Sequence, residues 1–196
     1  MCHNHKGLAM ILGKTQMFTG LVKRSGELLN PLKLGVKMFR PKIRFTIEKG
    51  KFTIKTVETG FELESVLRLR YDVFIREMLH KTLMFGIDID KFDFICDHIV
   101  IIDNKTDRYI GTYRVNCSAF SKLFYSDTEF DISAITRLPG VKLELGRACV
   151  HREYRNGVTL ALLWHGINEY CAQTGARYLF GCSSIKTTEF LEICML

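Results

Sequence analysis

Alternating apolar and polar residues in the first half of the chain predict antiparallel strands. The alternation runs over 43–47 and 52–57 around Glu-Lys-Gly-Lys, which predicts a hairpin or one bent strand. It returns over 98–103 and 109–117, on either side of a polar stretch at 104–108 that is typical of a hairpin turn. We therefore expect these segments to supply the central antiparallel strands of a sheet.

Two other stretches have apolar residues at the three- and four-residue spacing of helices. The first covers 63–78, and its apolar stripe contains one arginine, Arg70, which needs a partner if it is buried. The second covers 158–171, is apolar on nearly all sides, and stops at Gly175, a typical C-cap residue.

This second helix lies between two apolar strands, at 143–150 and at 178–182. Together they form a strand, turn, helix, strand crossover, so the sequence predicts an α/β (α+β) fold with a mixed central sheet flanked by helices. Glu144 and Arg147 are three residues apart on the first strand, and would face opposite ways unless the strand bulges near Gly146.

The turn before the helix carries Arg152, Arg155 and Gly157. Free backbone N–H groups and a helix N-terminus can bind a phosphate there, with the arginines adding charge. The alternative interpretation is an ordinary solvated loop.

The positive charge of the chain is concentrated at its N-terminus. The 196 residues carry a net charge of +7, but residues 1–56 hold 12 lysines and arginines against two acids. We divide the chain into a basic amphipathic extension, 1–42, and a domain at 43–196. The extension is either loosely ordered or an interfacial segment that contacts an anionic membrane surface, while its composition argues against nucleic-acid binding.

Seven cysteines without a C-x-x-C pair indicate reduced thiols, and hence a cytoplasmic protein, and the sequence contains no apolar run long enough to span a membrane. We expect neither a bound metal nor a bound cofactor. Four aspartates between 88 and 97 lack the glycine and terminal glutamate of an EF-hand loop.

Three segments, Glu144 to Gly157, Ala161 to Gly166 and Tyr178 to Cys182, resemble bacterial N-acyltransferases that load a fatty acyl chain from acyl carrier protein onto ornithine. These enzymes are a branch of the GNAT-like acyltransferases, and the resemblance covers about residues 52 to 184. It implies a GNAT-like fold and transfer of a (3-hydroxy)fatty acyl group to the α-amine of ornithine, giving lyso-ornithine lipid. It also implies a location in the cytoplasm, with the inner face of the membrane as a peripheral site.

The acyl donor implied by this family is carried on the phosphopantetheine of acyl carrier protein. The usual acetyl-CoA loop has two spaced glycines after its basic residue, whereas the sequence after Arg155 has one, Gly157. This departure favours a donor with a single phosphate. We assign donor binding to Cys149, Val150, Arg152, Arg155 and Gly157, with strand N–H groups polarising the thioester oxygen.

A second resemblance concerns the acceptor. Arg70-Tyr-Asp-Val-Phe74, Asp88-x-Asp90-x-x-Asp93, Gly111-Thr-Tyr-Arg114 and Glu144-x-x-Arg147 are similar in order and spacing to the acyl-homoserine lactone synthases, although those proteins usually have Glu where Asp88 stands. The resemblance implies a polar network around the acceptor amine. We expect Glu144 to act as a general base through a water, with Arg147 orienting it. The predicted substrate-binding residues are Arg70, Phe74, Asp90, Asp93 and Arg114.

Two alternatives stay open: a related N-acyltransferase with another amine acceptor or acyl-CoA as donor, and an inactive fragment. Only 14 residues follow Cys182. We expect them to be too few for the last helix and strand pair of a GNAT-like fold, and therefore expect a truncated chain with weak or no activity on its own.

Overall fold

The computed structural model of the protein describes residues 31–83 and 85–183. Residues 1–30, which make up most of the predicted basic extension, lie outside this part. Residues 184–196, on which the expectation about the end of the chain falls, also lie outside it.

The described part contains a six-stranded sheet whose strands follow one another in sequence order. Neighbouring strands from β1 to β5 are antiparallel, and β6 is parallel to β5. The predicted hairpins and the crossover after β5 are confirmed, and so is the mixed sheet. The strands are β1 Thr46–Lys49, β2 Phe52–Thr56, β3 Asp97–Asp103, β4 Arg108–Cys117, β5 Val141–Val150 and β6 Ala176–Phe180.

Within the described residues, four α-helices accompany the sheet: α1 Pro31–Lys37, α2 Gly60–Arg70, α3 Ser133–Thr136 and α4 Gly157–Thr174. A π-helical segment, Tyr71–Met78, continues α2 without a break, so the two together form the helix predicted over 63–78. Short 3₁₀ turns lie at Lys91–Phe94, Ser126–Thr128 and Arg152–Tyr154. Among the described residues, no helix is long and apolar enough to cross a bilayer.

Local sequence explains where α2 and α4 begin and end. Thr59 and Glu62 form a reciprocal capping box at the start of α2. The side chain of Asn156 accepts a hydrogen bond from the Thr159 N–H at the start of α4. Gly175 lies at the C-cap of α4 with a φ of 65°, a left-handed conformation that glycine adopts readily.

Helices cover both faces of the sheet. On one face, α4 packs Leu163, Ile167 and Tyr170 against residues that include Ile99 and Ile101 of β3. On the other, α1 and α2 pack side chains such as Val36, Leu63 and Leu67 against Val100 of β3. Since β3 is covered on both faces, it reads as an apolar run.

The contact between α4 and the sheet is close at Gly166, where a Cβ atom would lie 2.8 Å from Ile54 and Ile99 side-chain carbons. The opposite face of α4 is not covered by described residues. Val158, Leu160 and Trp164 there are 62%, 50% and 41% exposed. This helix therefore carries more apolar side chains than the described core buries.

Candidate active site

A β-bulge in β5 brings Glu144 and Arg147 to the same side of the sheet. Register with β4 shifts between the pairs Arg114–Gly146 and Thr112–Cys149, so two residues of β5, Arg147 and Ala148, oppose one of β4. Arg147 takes a φ of 49°, which is uncommon for a residue other than glycine.

The bulge changes which residues of β5 face which helix layer. Before it, Leu143 and Leu145 pack towards α4; after it, Val150 packs on that side, while Cys149 packs against Leu69 and Val73 on the α2 side. The even spacing of a regular strand would have placed Arg147 beside Leu143 and Leu145. The sequence alone does not determine which way Arg147 faces, and the bulge decides it.

Three arginines and three aspartates form an interlinked network on the α2 side of the sheet. Arg70 donates to Asp93 at 2.6 Å and to Asp88 at 2.9 Å. Arg114 of β4 donates to Asp90 at 2.7 Å and to Asp93 at 3.0 Å. Opposite charges therefore alternate within the network.

Arg147 closes this network, donating to Asp90 at 2.9 Å, with its Nε 3.6 Å from Asp88. Asp90 also begins the 3₁₀ turn at Lys91–Phe94, and its N–H donates to Asp93 at 2.7 Å. The turn thus fixes the spacing of the two carboxylates. The network joins α2, the 3₁₀ turn, β4 and β5, the elements that surround the site.

The innermost pair of the network, Arg70 and Asp93, has no solvent-exposed side-chain surface. Burial alone would raise the pKa of Asp93, but the charges of Arg70 and Arg114 outweigh it and hold this pKa well below its usual range. Burial likewise opposes the charge of Arg70, and the carboxylates of Asp93 and Asp88 raise its pKa above the usual range. Both side chains are therefore ionised at neutral pH.

Glu144 is 5% exposed and holds the loop that crosses the site. Its carboxylate accepts from the N–H groups of Ser126 at 2.6 Å and Tyr125 at 2.9 Å, with the amide of Asn116 at 3.5 Å. The loop over 120–135 lies over the site, with its 3₁₀ turn at Ser126–Thr128. Glu144 is thus both near the network and tied to the loop above it.

A cleft of about 200 Å³ opens between this loop and the end of β5. Tyr125 covers two arginines of the network, with its ring centre 5.3 Å from the Arg147 guanidinium and 5.6 Å from that of Arg114. The cleft is lined by Cys96, Arg114, Asn116, Tyr125, Ser126, Glu129, Phe130, Glu144, Leu145, Gly146, Arg147, Cys182 and Ser183.

Beyond the cleft, β5 and β6 separate. Their pairing ends at Glu144 and Phe180, so among the described residues the later part of β5 has no strand partner on its β6 side. Gly181 lies against β5 where the strands part, and a Cβ there would be 2.1 Å from the carbonyl oxygen of Leu145. An extended ligand could therefore pair with the free edge of β5.

The predicted donor-binding residues lie around the turn that follows β5. Arg155 donates to Glu77 of the π-helical segment at 2.5 and 2.7 Å, and to the Val150 carbonyl at 3.0 Å. Arg152 and Gly157 are exposed, and space is open around Gly157.

Two predicted site residues pack in a small apolar cluster. The side chains of Cys149 and Phe74 pack with those of Leu69 and Val73. Burial raises the pKa of the Cys149 thiol to about 12, so this thiol is neutral at physiological pH. Only the backbone of Cys149 is then suited to meet a ligand.

Several residues of the site were missed by sequence reasoning. Asn116 alternates with apolar neighbours on β4, Tyr125 lies in a loop, and His98 lies in a strand, so nothing in their local pattern marks them. His98 is fully buried and its ring Nε2 is 3.1 Å from the Asp93 carbonyl oxygen. Within 31–83 and 85–183, no three His, Cys, Asp or Glu side chains are grouped to hold a metal ion.

Comparison with known proteins agrees with this architecture. A family model described as an acetyltransferase (GNAT) domain matches residues 69–165, which include the network, Glu144 and the first half of α4. An L-ornithine N(alpha)-acyltransferase of Brucella abortus (strain 2308) is 34% identical over 149 residues, covering 69% of this chain and 53% of that protein. The protein of the same name from Rhizobium meliloti (strain 1021) is 36% identical over 144 residues, covering 66% and 49%.

The chain spans about half the length of the curated relatives it matches. Among solved structures, a CoA-dependent acyl-homoserine lactone synthase, BjaI, with SAM and isopentyl-CoA, has a TM-score of 0.49 and 21% identity, covering 61% of this chain and 57% of that one. That is a weak structural similarity. The chain has the mixed sheet of a GNAT acyltransferase fold and matches the GNAT domain model over 69–165, and it is similar to the L-ornithine N(alpha)-acyltransferases over about two thirds of its length.

Proposed function

We propose that this chain is an N-acyltransferase that moves a (3-hydroxy)fatty acyl group from acyl carrier protein to the α-amine of ornithine, giving lyso-ornithine lipid. The observation that carries the proposal is the cleft in which Glu144 and Arg147 meet the network of three arginines and three aspartates. The names of the relatives supply the acceptor.

The acceptor amine must lose a proton before it can attack, because amino-acid α-amines are mostly protonated at neutral pH. Glu144 takes that proton through a water, since its carboxylate lines the cleft while the loop N–H groups hold it in place. Arg147 and Arg114 also line the cleft and bind the acceptor carboxylate. Arg70 and Asp93 keep these arginines in position.

The donor chain lies along the free edge of β5, where backbone N–H groups near Cys149 polarise the thioester carbonyl. The amine nitrogen attacks the carbonyl carbon, a C–N bond forms, and the C–S bond breaks. The sulfur leaves as the thiol of phosphopantetheine, taking up a proton. Arg152, Arg155 and Gly157 face the single phosphate, and no separate cofactor is needed.

A cytoplasmic location fits this chemistry, with the product entering the inner face of the membrane. In this proposal the catalytic domain begins near residue 43, and the basic segment before it contacts anionic lipid. Binding of the purified chain to vesicles with and without anionic lipid tests the latter point.

Release of free thiol from hydroxyacyl-acyl carrier protein, with and without ornithine, tests the proposed reaction. We expect release to depend on ornithine and to fall sharply when acyl-CoA replaces the carrier protein. Release with lysine or another amine but not with ornithine would show that the acceptor is that amine and not ornithine. No release with any amine, from a chain that unfolds cooperatively, would overturn the reaction for this chain.

A further inference from the structure

Asn116 is the buried residue of the cleft whose hydrogen bonding is incomplete. It lies on β4 directly opposite Glu144 of β5 and is 2% exposed. Its amide nitrogen donates to the Leu123 carbonyl at 2.7 Å and is 3.5 Å from Glu144. Its carbonyl oxygen, Oδ1, is buried and has no partner within the described structure.

The orientation of this amide is fixed by its surroundings. Turning the side chain over would place Oδ1 against the Leu123 carbonyl and the Glu144 carboxylate, both of which only accept hydrogen bonds. The nitrogen must therefore face these two groups, which leaves Oδ1 as the unsatisfied acceptor. A buried acceptor without a partner is costly in a folded protein, and such groups often mark a ligand or water position.

Arg147 also lines this cleft. Its Nε is buried without a hydrogen-bond partner and lies 3.6 Å from the Asp88 carboxylate, and its Nη2 donates to Asp90. The cleft thus offers acceptors at Asn116 and Glu144, and a donor at Arg147. These are the groups that the ammonium and carboxylate of an α-amino acid require.

We propose that Asn116 is an acceptor-binding residue: its Oδ1 receives an N–H of the substrate α-amine, beside the water through which Glu144 takes the amine proton. This inference rests on the proposed function and names the contact that seats the amine for attack. The neighbouring Leu123 carbonyl positions Asn116, and Glu144 acts on the amine held there. Selectivity for an α-amino acid over a simple alkylamine follows, because only the α-amino acid has a carboxylate for Arg147 to bind.

The test compares two ligands on two proteins. Ornithine and 5-aminopentanoate, which lacks the α-amine, are titrated by calorimetry into the wild-type chain and into Asn116→Leu, without a donor. We expect wild type to prefer ornithine, and Asn116→Leu to lose roughly tenfold or more of that preference. General damage to the site would weaken both ligands equally and leave the preference unchanged, which would overturn the inference.

Kinetics separate this inference from the proposed reaction. We expect Asn116→Leu to raise the KM for ornithine and leave the KM for the acyl donor unchanged, while the exposed control Asn168→Leu behaves as wild type. Normal turnover with an unchanged ornithine KM in Asn116→Leu would overturn the role of Asn116 alone. Absence of ornithine-dependent turnover and binding in wild type would overturn the proposed reaction, and the inference with it.

Discussion

Replacing Arg70 with methionine should destabilise the protein strongly, because it removes one charge from a fully buried ion pair. Asp93 lies 2.6 Å from Arg70 and, like it, has no exposed side-chain surface. Removing one partner of a buried pair typically costs about 3–5 kcal/mol, since the other charge stays buried without full compensation. Methionine keeps the unbranched aliphatic part of the side chain but lacks the guanidinium group, so part of the loss comes from the space left beside Asp93.

The remaining network limits the expected loss. Asp93 keeps Arg114 at 3.0 Å and the N–H of Asp90 at 2.7 Å, while Asp88 keeps Arg147 at 3.6 Å. We therefore expect the lower end of the range, about 3 kcal/mol, which is a large fraction of the stability of a typical domain. Urea unfolding followed by circular dichroism measures this as a lower transition midpoint with an unchanged slope.

Arg68 provides the matched control, since it lies on the same helix and its side chain is 55% exposed in an ion pair with Glu64. Arg68→Met should unfold close to wild type. A second readout is acid stability. The lowered pKa of Asp93 adds stability above about pH 4, and this is lost as the pH falls further, so Arg70→Met should lose less on acidification. Equal midpoints for the two methionine variants would refute the importance assigned to the buried pair.

Three further predictions concern the base, the donor and the buried histidine. Glu144→Gln should keep the fold and lower ornithine-dependent thiol release by about two orders of magnitude at neutral pH; near-normal release with a flat pH profile would mean that Glu144 only holds the Tyr125 loop. Arg152→Ala and Arg155→Ala should each weaken binding of acidic acyl carrier protein, more at low than at high salt, and acetyl-CoA should be a poor donor; efficient acetyl-CoA turnover would contradict this. Burial lowers the pKa of His98 to about 4, so the free energy of unfolding should fall as the pH drops from about 6.5 towards 4, with a slope approaching ~1.4 kcal/mol per pH unit. Urea titrations at several pH values should show a shallower slope in His98→Gln, and an identical slope would assign the effect to other groups.

Much of the fold follows from local sequence. The β3–β4 hairpin and the C-cap of α4 at Gly175 were predicted because turn residues and apolar spacing act over a few neighbouring positions. The need for a partner at Arg70 was also visible, since a lone charge on an apolar stripe is unstable when buried. Asp93 as its partner was not predicted, because Asp93 lies 23 residues further along the chain.

The remaining features of the site depend on contacts between distant segments. Whether Glu144 and Arg147 share a face depends on one bulge, and Gly146 only hinted at it. The strained residue is Arg147 itself, which sequence preference would not select. Asn116 and Tyr125 acquire their roles because the loop over the site contacts β4 and β5. A contact between such distant segments cannot be predicted from the local sequence pattern.

The bulge in β5 also limits how this strand can vary during evolution. A substitution at the exposed Ala148 leaves the order of inward and outward residues intact. Deleting one residue there would restore an even spacing and turn Arg147 towards the layer occupied by Leu143, while Cys149 would stay opposite Thr112. Functional descendants of this sequence should therefore differ between Leu143 and Val150 by replacements rather than by gaps, while the loop at 120–135 is freer to change in length.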